Sequence, residues 1–396
     1  LSAVGEDGAG NDPDGDGVPN AVEFAAGTHP RGTWSRSFAE GATGPFFDIR
    51  FALFNTHPTA TARVLMRFMT SEGNTVSHFV LLLPLQRATV DPETLPGLEA
   101  TASSTVLEAD AVVVVDRTMS WDATHYGSHA ETGVAAPAHA WFLAEGATHS
   151  GFVLFYLLQN PSATAANVTV TYLLPSGPPL VRSYAVAGRS RYTIWVNRED
   201  PVLAATDVSA AISSDVPIVV ERAMYLDVDR QSFTAGHASA GVTAPATRWM
   251  LAEGATGPYF DFFVLIANPG TQTADIEARF LLPDGTTVAQ RRTVAPRSRD
   301  TLWVDLLDPR LADTAVSTTI TSLNDVPIVV ERAMWWPGDG WTEAHNAAGA
   351  TASAANWALA EGEVGGPDAA QTYVLVANTA DEDVRVDILI HFEDGG

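Results

Sequence analysis

The chain has 396 residues, 46% of them hydrophobic and only 17% charged, with 47 acids against 22 bases and a formal charge of −25. That much apolar content with so little charge excludes an intrinsically disordered chain, and the length predicts two to four domains. All 22 bases are Arg and there is no Cys, which excludes a P-loop lysine, a Schiff base, an isopeptide cross-link, a thiol nucleophile, a disulfide and a thiolate zinc site. The acidic balance disfavours nucleic acid, whose phosphates need cationic partners, and suits cations or a surface kept soluble by self-repulsion. No apolar run reaches the roughly 18 residues of a membrane-spanning helix. The chain opens on Leu1 without a signal-peptide pattern, as expected of a mature product or an excerpt of something longer.

The leader, residues 1–33, carries the strongest chemical signal. Asp12-Pro-Asp-Gly-Asp-Gly-Val-Pro-Asn-Ala-Val-Glu23 satisfies the twelve-residue calcium-loop pattern at every position. Ca²⁺ takes six to eight hard oxygens at about 2.3–2.6 Å. Asp12, Asp14, Asp16, the Val18 carbonyl, Asn20 and Glu23 occupy the liganding positions, and Gly17 stands where the loop turns sharply. The segment resembles thrombospondin type 3 and dockerin calcium loops, with their Gly-Thr-x-Pro tail present as Gly27 to Pro30. It departs from them in His29, where an acid is usual, and in having no second loop. The resemblance implies one calcium-stiffened joint.

Beyond the leader, internal repeats dominate. Trp141-Phe-Leu-Ala-Glu-Gly-Ala-Thr148 recurs as Trp249-Met-Leu-Ala-Glu-Gly-Ala-Thr256, in part as Trp357 to Gly362, and as Phe38 to Thr43 with Trp34 shifted. Asn160-Pro161 matches Asn268-Pro269, and Leu173 to Gly177 matches Leu281 to Gly285. Asp215 to Met224 matches Asp325 to Met334 letter for letter, with a looser Val112 to Met119 before them. His129, His237 and His345 close the pattern. The expected divisions are 34–140, 141–248, 249–356 and a partial fourth repeat, 357–396.

Each repeat reads as β, because the apolar period is two. Val168, Val170 and Tyr172 share one face, as do Ile276, Ala278 and Phe280. In the last repeat Val384, Val386, Ile388, Ile390 and Phe392 do the same. Asn-Pro-Gly, Pro-Asp-Gly and Pro-Ser-Gly punctuate the runs. Pro217 and Pro327 are placed at strand starts. Short helical pieces are expected only near Pro201–Ala205 and Asp308–Ala312. About seven strands per repeat predict an all-β chain of tandem immunoglobulin-like sandwiches, arranged as a rod behind the calcium loop. The whole motif series resembles tandem immunoglobulin-like repeats of large bacterial secreted and surface proteins. That resemblance implies an extracellular or cell-surface location and no catalytic activity.

The repeated Glu145/Glu253 and Arg222/Arg332 are expected to form ion pairs within each repeat rather than catalytic pairs. The single His per repeat is expected to bond backbone in its loop, and the recurring Trp residues to plug cores rather than form a sugar-stacking platform. Asn167-Val-Thr169 is a glycosylation sequon. No hydrolase, metalloprotease or dinucleotide motif occurs. The expected function is a non-enzymatic extracellular structural protein, the subunit of a cell-surface filament or stalk. Its expected partners are copies of itself as a homopolymer or other surface proteins, with a possible glycan, no nucleic acid and no membrane span. The alternatives are a carbohydrate-binding adhesin, or a spacer region of a larger secreted hydrolase. The fourth repeat, half a sandwich, is expected to be completed in trans by strand complementation, or in cis by further chain.

Overall fold

The computed structural model describes residues 8–227, 233–360, 362–365, 371–380 and 382–392. A short helix, α1 (Asn20–Ala26), closes the leader. The first repeat then builds eight strands: β1 (Trp34–Phe38), β2 (Phe47–Asn55), β3 (Ala62–Thr70), β4 (Thr75–Leu82), β5 (Arg87–Val90), β6 (Ser103–Ala109), β7 (Val113–Trp121) and β8 (Gly127–Thr132). They form two antiparallel sheets, β1-β6-β3-β4 and β5-β2-β7-β8. The core between them includes Phe38, Phe51, Phe68 and Met66.

The second repeat has β9 (Ala138–Leu143), β10 (Phe152–Asn160), β11 (Ala166–Leu173), β12 (Leu180–Val186), β13 (Ser190–Trp195), β14 (Ser209–Leu226) and β15 (Ala235–Ala240). The third has β16 (Arg248–Leu251), β17 (Asp261–Asn268), β18 (Ala274–Leu281), β19 (Thr287–Val294), β20 (Ser298–Trp303), β21 (Ser317–Ser322), β22 (Val329–Trp336) and β23 (Glu343–Ala348). The pairing of the first repeat recurs in both. In the second repeat the sixth and seventh strands fuse into β14, whose first half pairs with β9 and β11 and whose second half pairs with β10 and β15. The pattern is therefore eight segments per repeat, one more than the sequence suggested.

The period-two reading holds. Val168, Val170 and Tyr172 are buried, as are Ile276, Ala278 and Phe280. The 3₁₀ turns at Pro201–Leu203 and Pro309–Leu311 sit where short helices were expected, each begun by an Asp carboxylate, Asp200 or Asp308, that accepts a backbone N–H. Pro217 does not start a strand. It lies inside β14, where the register slips between Ser213 and Ile218; a bulge tolerates a missing N–H and lets the chain cross from one sheet to the other.

The repeats do not line up as a rod. Strand β15 packs along both β8 and β23, which bring the closing strands of all three repeats together. The Tyr126 hydroxyl of the first repeat donates to Glu343 of the third. The Ala360 N–H of the fourth repeat donates to Asp116 of the first at 2.8 Å. A chain of end-to-end domains cannot make that last contact. The physical reason for the curvature is that each repeat buries polar groups on the side, not the tip, of its neighbour.

The fourth repeat carries no paired strand among its described residues. Val384, Val386, Ile388, Ile390 and Phe392 are 54–70% exposed instead of facing a core. Among the described residues no second sheet covers these side chains and no strand ladder pairs their backbone. The Glu of this repeat's motif, Glu361, lies outside the described residues.

Candidate functional site: charged sockets between the repeats

The intra-repeat pairs form as expected. Arg222 Nη2 lies 3.1 Å from Glu145 Oε2, and Arg332 pairs with Glu253. The first repeat has the same pair, Arg117 Nη2 with Glu40 Oε2 at 3.0 Å. The Arg comes from the seventh strand of its repeat, and the Glu from the loop after the first strand. Strand pairing on both sides of the Arg fixes where its guanidinium points.

The sequence reading missed a third member. Glu221 of the second repeat enters the socket of the first, where its Oε2 accepts from Arg117 Nη1 at 2.6 Å and from the Glu40 N–H at 2.8 Å. Glu331 of the third repeat enters the socket of the second in the same way. It accepts from Arg222 Nη1 at 2.6 Å and from the Ala144 N–H at 2.9 Å. The side chains of Arg117, Glu221, Arg222 and Glu331 are fully buried. Each Val-Glu-Arg-Ala-Met strand thus serves two repeats: its Arg completes its own socket and its Glu fills the one before. The adjacency of Glu and Arg is the signal that could have revealed this, since neighbouring residues on a strand face opposite sides.

The first repeat has Asp116 where the later ones have Glu221 and Glu331. Asp116 accepts from the Ala360 N–H, and Arg87 Nε donates to the Ala360 carbonyl at 3.0 Å. These contacts parallel Glu331 with Ala144, and Arg191 Nη1 donating to the Gly41 carbonyl at 2.9 Å. Arg299 makes the corresponding link from the third repeat to the second, 3.1 Å from Asp207 Oδ2 and donating to Ser209 Oγ.

The His residues do not bond loop backbone as expected. They lie on β8, β15 and β23, and their rings face the socket Glu: His129 at 3.7 Å from Glu40, His237 at 3.3 Å from Glu145 and His345 at 3.6 Å from Glu253. Alternation on a closing strand aims them inward, which a loop assignment could not foresee.

Burial and charge set the titration of these groups. Burial pushes the Glu40 carboxyl up to about 7; Arg117 opposes this and Glu221 adds to it. Burial, together with the charge of Arg117, holds His129 well below its usual value. At the third socket burial pushes Glu253 up, but His345 and Arg332 outweigh it and the net shift is downward. His345 is lowered, chiefly by its partial burial, the side chain staying 39% exposed.

The signs give a prediction. A lowered His contributes stability above its unfolded value of 6.5 and loses it as pH falls. A lowered Glu contributes above 4.5 and loses it as pH falls further. Both act in the same direction at the third socket. At the first socket the raised Glu40 contributes stability below its unfolded 4.5 that is lost as pH rises through about 7. It therefore gains on acidification while His129 loses, and the two oppose. Amide protection factors followed from pH 7.5 to 4, corrected for the intrinsic slowing of exchange in acid, are expected to fall around β22 and β23 before they do around β7 and β8. Simultaneous loosening of both sockets contradicts this electrostatic account.

The leader places its predicted ligands in two groups. Asp12, Asp14 and Asp16 offer carboxylate oxygens within 4.8 Å of one another. Gly15 and Gly17 sit at φ +77° and +88°, and both N–H groups donate to Asp12 at 2.8 Å. The Val18 N–H donates to Asp16 Oδ1 at 2.7 Å. Asn20 opens α1 and its Nδ2 donates to the Gly8 carbonyl. Glu23 lies on α1, buried, and its Oε2 has no hydrogen-bond partner. Burial, with Asp14 and Asp16 nearby, raises its carboxyl to about 7. His29 is buried; its N–H donates to Glu108, whose other oxygen holds Arg67 at 2.5 Å, so the leader is fastened to the first sandwich.

No family model and no curated protein matches the chain. Among solved structures it is similar to Thermotoga maritima 1070, at 18% identity and a TM-score of 0.25 over 27% of this chain and 96% of that one. It is similar to an Anabaena sensory rhodopsin transducer, at 24% identity and a TM-score of 0.21 over 22% and 98%. A tetra-tandem repeat from the extending region of a large adhesion protein aligns at 12% identity and a TM-score of 0.11 over 78% and 74%. With TM-scores between 0.11 and 0.25, these likenesses carry no argument about chemistry.

Proposed function

We propose that the protein is a non-enzymatic extracellular structural scaffold, a cell-surface block of immunoglobulin-like sandwiches with a calcium-stiffened entry. The observation that carries this is the use of the repeated acids and bases. Glu40, Arg117, Glu145, Arg222, Glu221 and Glu331 are buried and spend their hydrogen bonds on holding repeats together. Groups locked in this way are poor proton shuttles and good mortar. The burial of Trp141 and Trp249 favours the structural reading over a sugar-binding platform. Because the repeats curve toward one another, the unit that would build a filament or stalk is a block rather than a rod. Surface labelling of intact source cells with an antibody to the chain is expected to succeed. Labelling that requires lysis overturns the reading.

The calcium part rests on the fit of the leader. Three clustered carboxylates and the partner-free oxygen of a buried Glu23 make a donor set of hard oxygens that repel one another without a cation. Asp12, Asp14, Asp16 and Glu23 would hold the ion with the Val18 carbonyl and Asn20, and Ca²⁺ would supply the missing positive charge. Chelation is expected to open residues 12–23 to proteolysis and leave the sandwiches folded, and Asp16→Ala with Glu23→Ala to abolish the difference. An identical cleavage pattern with and without chelator is the contrary result.

A further inference from the structure

The third socket differs from the other two at one atom. In the first and second sockets the Arg Nη1 donates to a carboxylate of the following repeat at 2.6 Å. In the third, Arg332 Nη1 is buried and has no hydrogen-bond partner, although Arg332 is only 6% exposed. Its companions are correspondingly open: the Glu253 and His345 side chains are 28% and 39% exposed, against 5% or less for the Glu and His of the other two sockets.

The space beside that socket is a cavity of about 360 Å³ between β8 and β23, lined by Trp121, Tyr126, His129, Glu253, Trp336 and His345, among others. Strand β15 packs closely on both β8 and β23, whereas β8 and β23 face each other across the cavity with far less contact, including the Tyr126 hydroxyl on Glu343. The steps from the first repeat to the second and from the second to the third use the same contacts. The step from the fourth to the first is already present in outline, because Ala360 sits on Asp116 and Arg87 as Ala144 sits on Glu331. The step from the third to the fourth remains to be made.

We propose that the wedge between β8 and β23 is the seat of a completed fourth sandwich, which closes a four-sector ring and brings a carboxylate onto Arg332 from its seventh strand. The occupant is the second half of a repeat of this same type, the complement of residues 357–396. Charge complementarity selects it, since Arg332 needs a second carboxylate. So does continuity, since the first part of that repeat already lies against the first sector and exposes the apolar row from Val384 to Phe392. A strand of a sandwich carries that carboxylate in both complete sockets. The inference rests on Glu221 and Glu331 acting as plugs, which Glu331→Gln tests separately.

Two experiments decide it. The chain has no Cys, so Thr124→Cys with Asp339→Cys allows clean spin labelling of the native chain. A short, narrow distance between the first and third repeats is expected; a long, broad one overturns ring closure whatever the fourth repeat does. In the second, residues 287–356 are joined after Gly396, since Asp394-Gly395 matches Asp284-Gly285 in the repeat frame. Amide exchange over 384–392 is expected to slow by about 100-fold or more as that segment becomes part of a cooperative unit. Gln in place of the appended carboxylate, the counterpart of Glu331, is expected to return about tenfold of that gain and loosen β22 and β23. An appended segment that stays unprotected, a Gln variant without effect around Arg332, or a dimer in which a second copy fills the wedge each overturns the proposal.

Discussion

Replacing Glu331 by Gln is expected to destabilise the junction between the second and third repeats by about 3–5 kcal/mol, the range for breaking one partner of a buried charged cluster. Glu331 accepts from Arg222 and from the Ala144 and Glu145 N–H groups, with its side chain fully buried. The neutral amide keeps the shape but removes one of the two carboxylates that offset Arg222, Glu145 being the other, and turns one acceptor into a donor that faces N–H groups. Denaturant unfolding should show the loss as an early transition or a lower midpoint, and exchange should locate it at β9 and β22. Glu277→Gln is the control, because its partners Arg279 and Arg291 are well exposed and such pairs contribute about 0–1 kcal/mol. Comparable effects from the two substitutions would show that the socket holds nothing together. Replacing Glu331, Arg222 and Glu145 together by apolar residues of similar volume should recover much of the loss, since most of the cost lies in a buried charge whose hydrogen bonds are incomplete.

Much of this fold was legible because its signals are local. Alternation marks Val168 to Tyr172 and Ile276 to Phe280 as strands, and Pro-Asp-Gly marks a turn, without reference to anything distant. The intra-repeat Glu–Arg pairs were legible because both residues recur at one fixed spacing. What was hidden is how one repeat meets the next. Glu331 and Glu145 differ by 186 residues in position, and nothing local distinguishes a Glu that faces its own sandwich from one that faces a neighbour. The rod was inferred from the repeat count, but shape depends on where the buried polar contacts lie, and those lie on the flanks. The alternation from Val384 to Phe392 is read from the sequence alone, and among the described residues its apolar side chains are all exposed. Their burial could not follow, because burial belongs to the partner sheet and not to the strand. The proposed calcium loop is the opposite case, because all its candidate ligands fall within twelve residues and the pattern can be read letter by letter.

Trp141→Ala is expected to cost about 3–5 kcal/mol, the range for truncating a buried Trp. Trp141 is 1% exposed and among the largest side chains in the second core. Its Nε1 donates to the Ile218 carbonyl at 2.9 Å, at the end of the bulge that carries β14 between the sheets. Truncation therefore leaves a cavity and also removes a hydrogen bond at the crossing point. Trp249 repeats the arrangement, donating to the Ile328 carbonyl at 2.9 Å. A glycine packs on the face of each ring: a Cβ at Gly241 would lie 3.2 Å from Trp141, and one at Gly349 the same distance from Trp249. Gly349→Ala should therefore destabilise modestly through the same core. Trp357 is the internal comparison. Its Nε1 reaches the Ala354 carbonyl as Trp141 reaches that of Ala138, so the local turn is the same. Yet the ring is 71% exposed, and no core covers it among the described residues. Trp357→Ala should change the unfolding midpoint little. Equal losses from Trp141→Ala and Trp357→Ala would mean that the recurring Trp stabilises through its turn and not through the core. A large loss confined to Trp141 and Trp249 assigns the stability to the packed ring and its hydrogen bond.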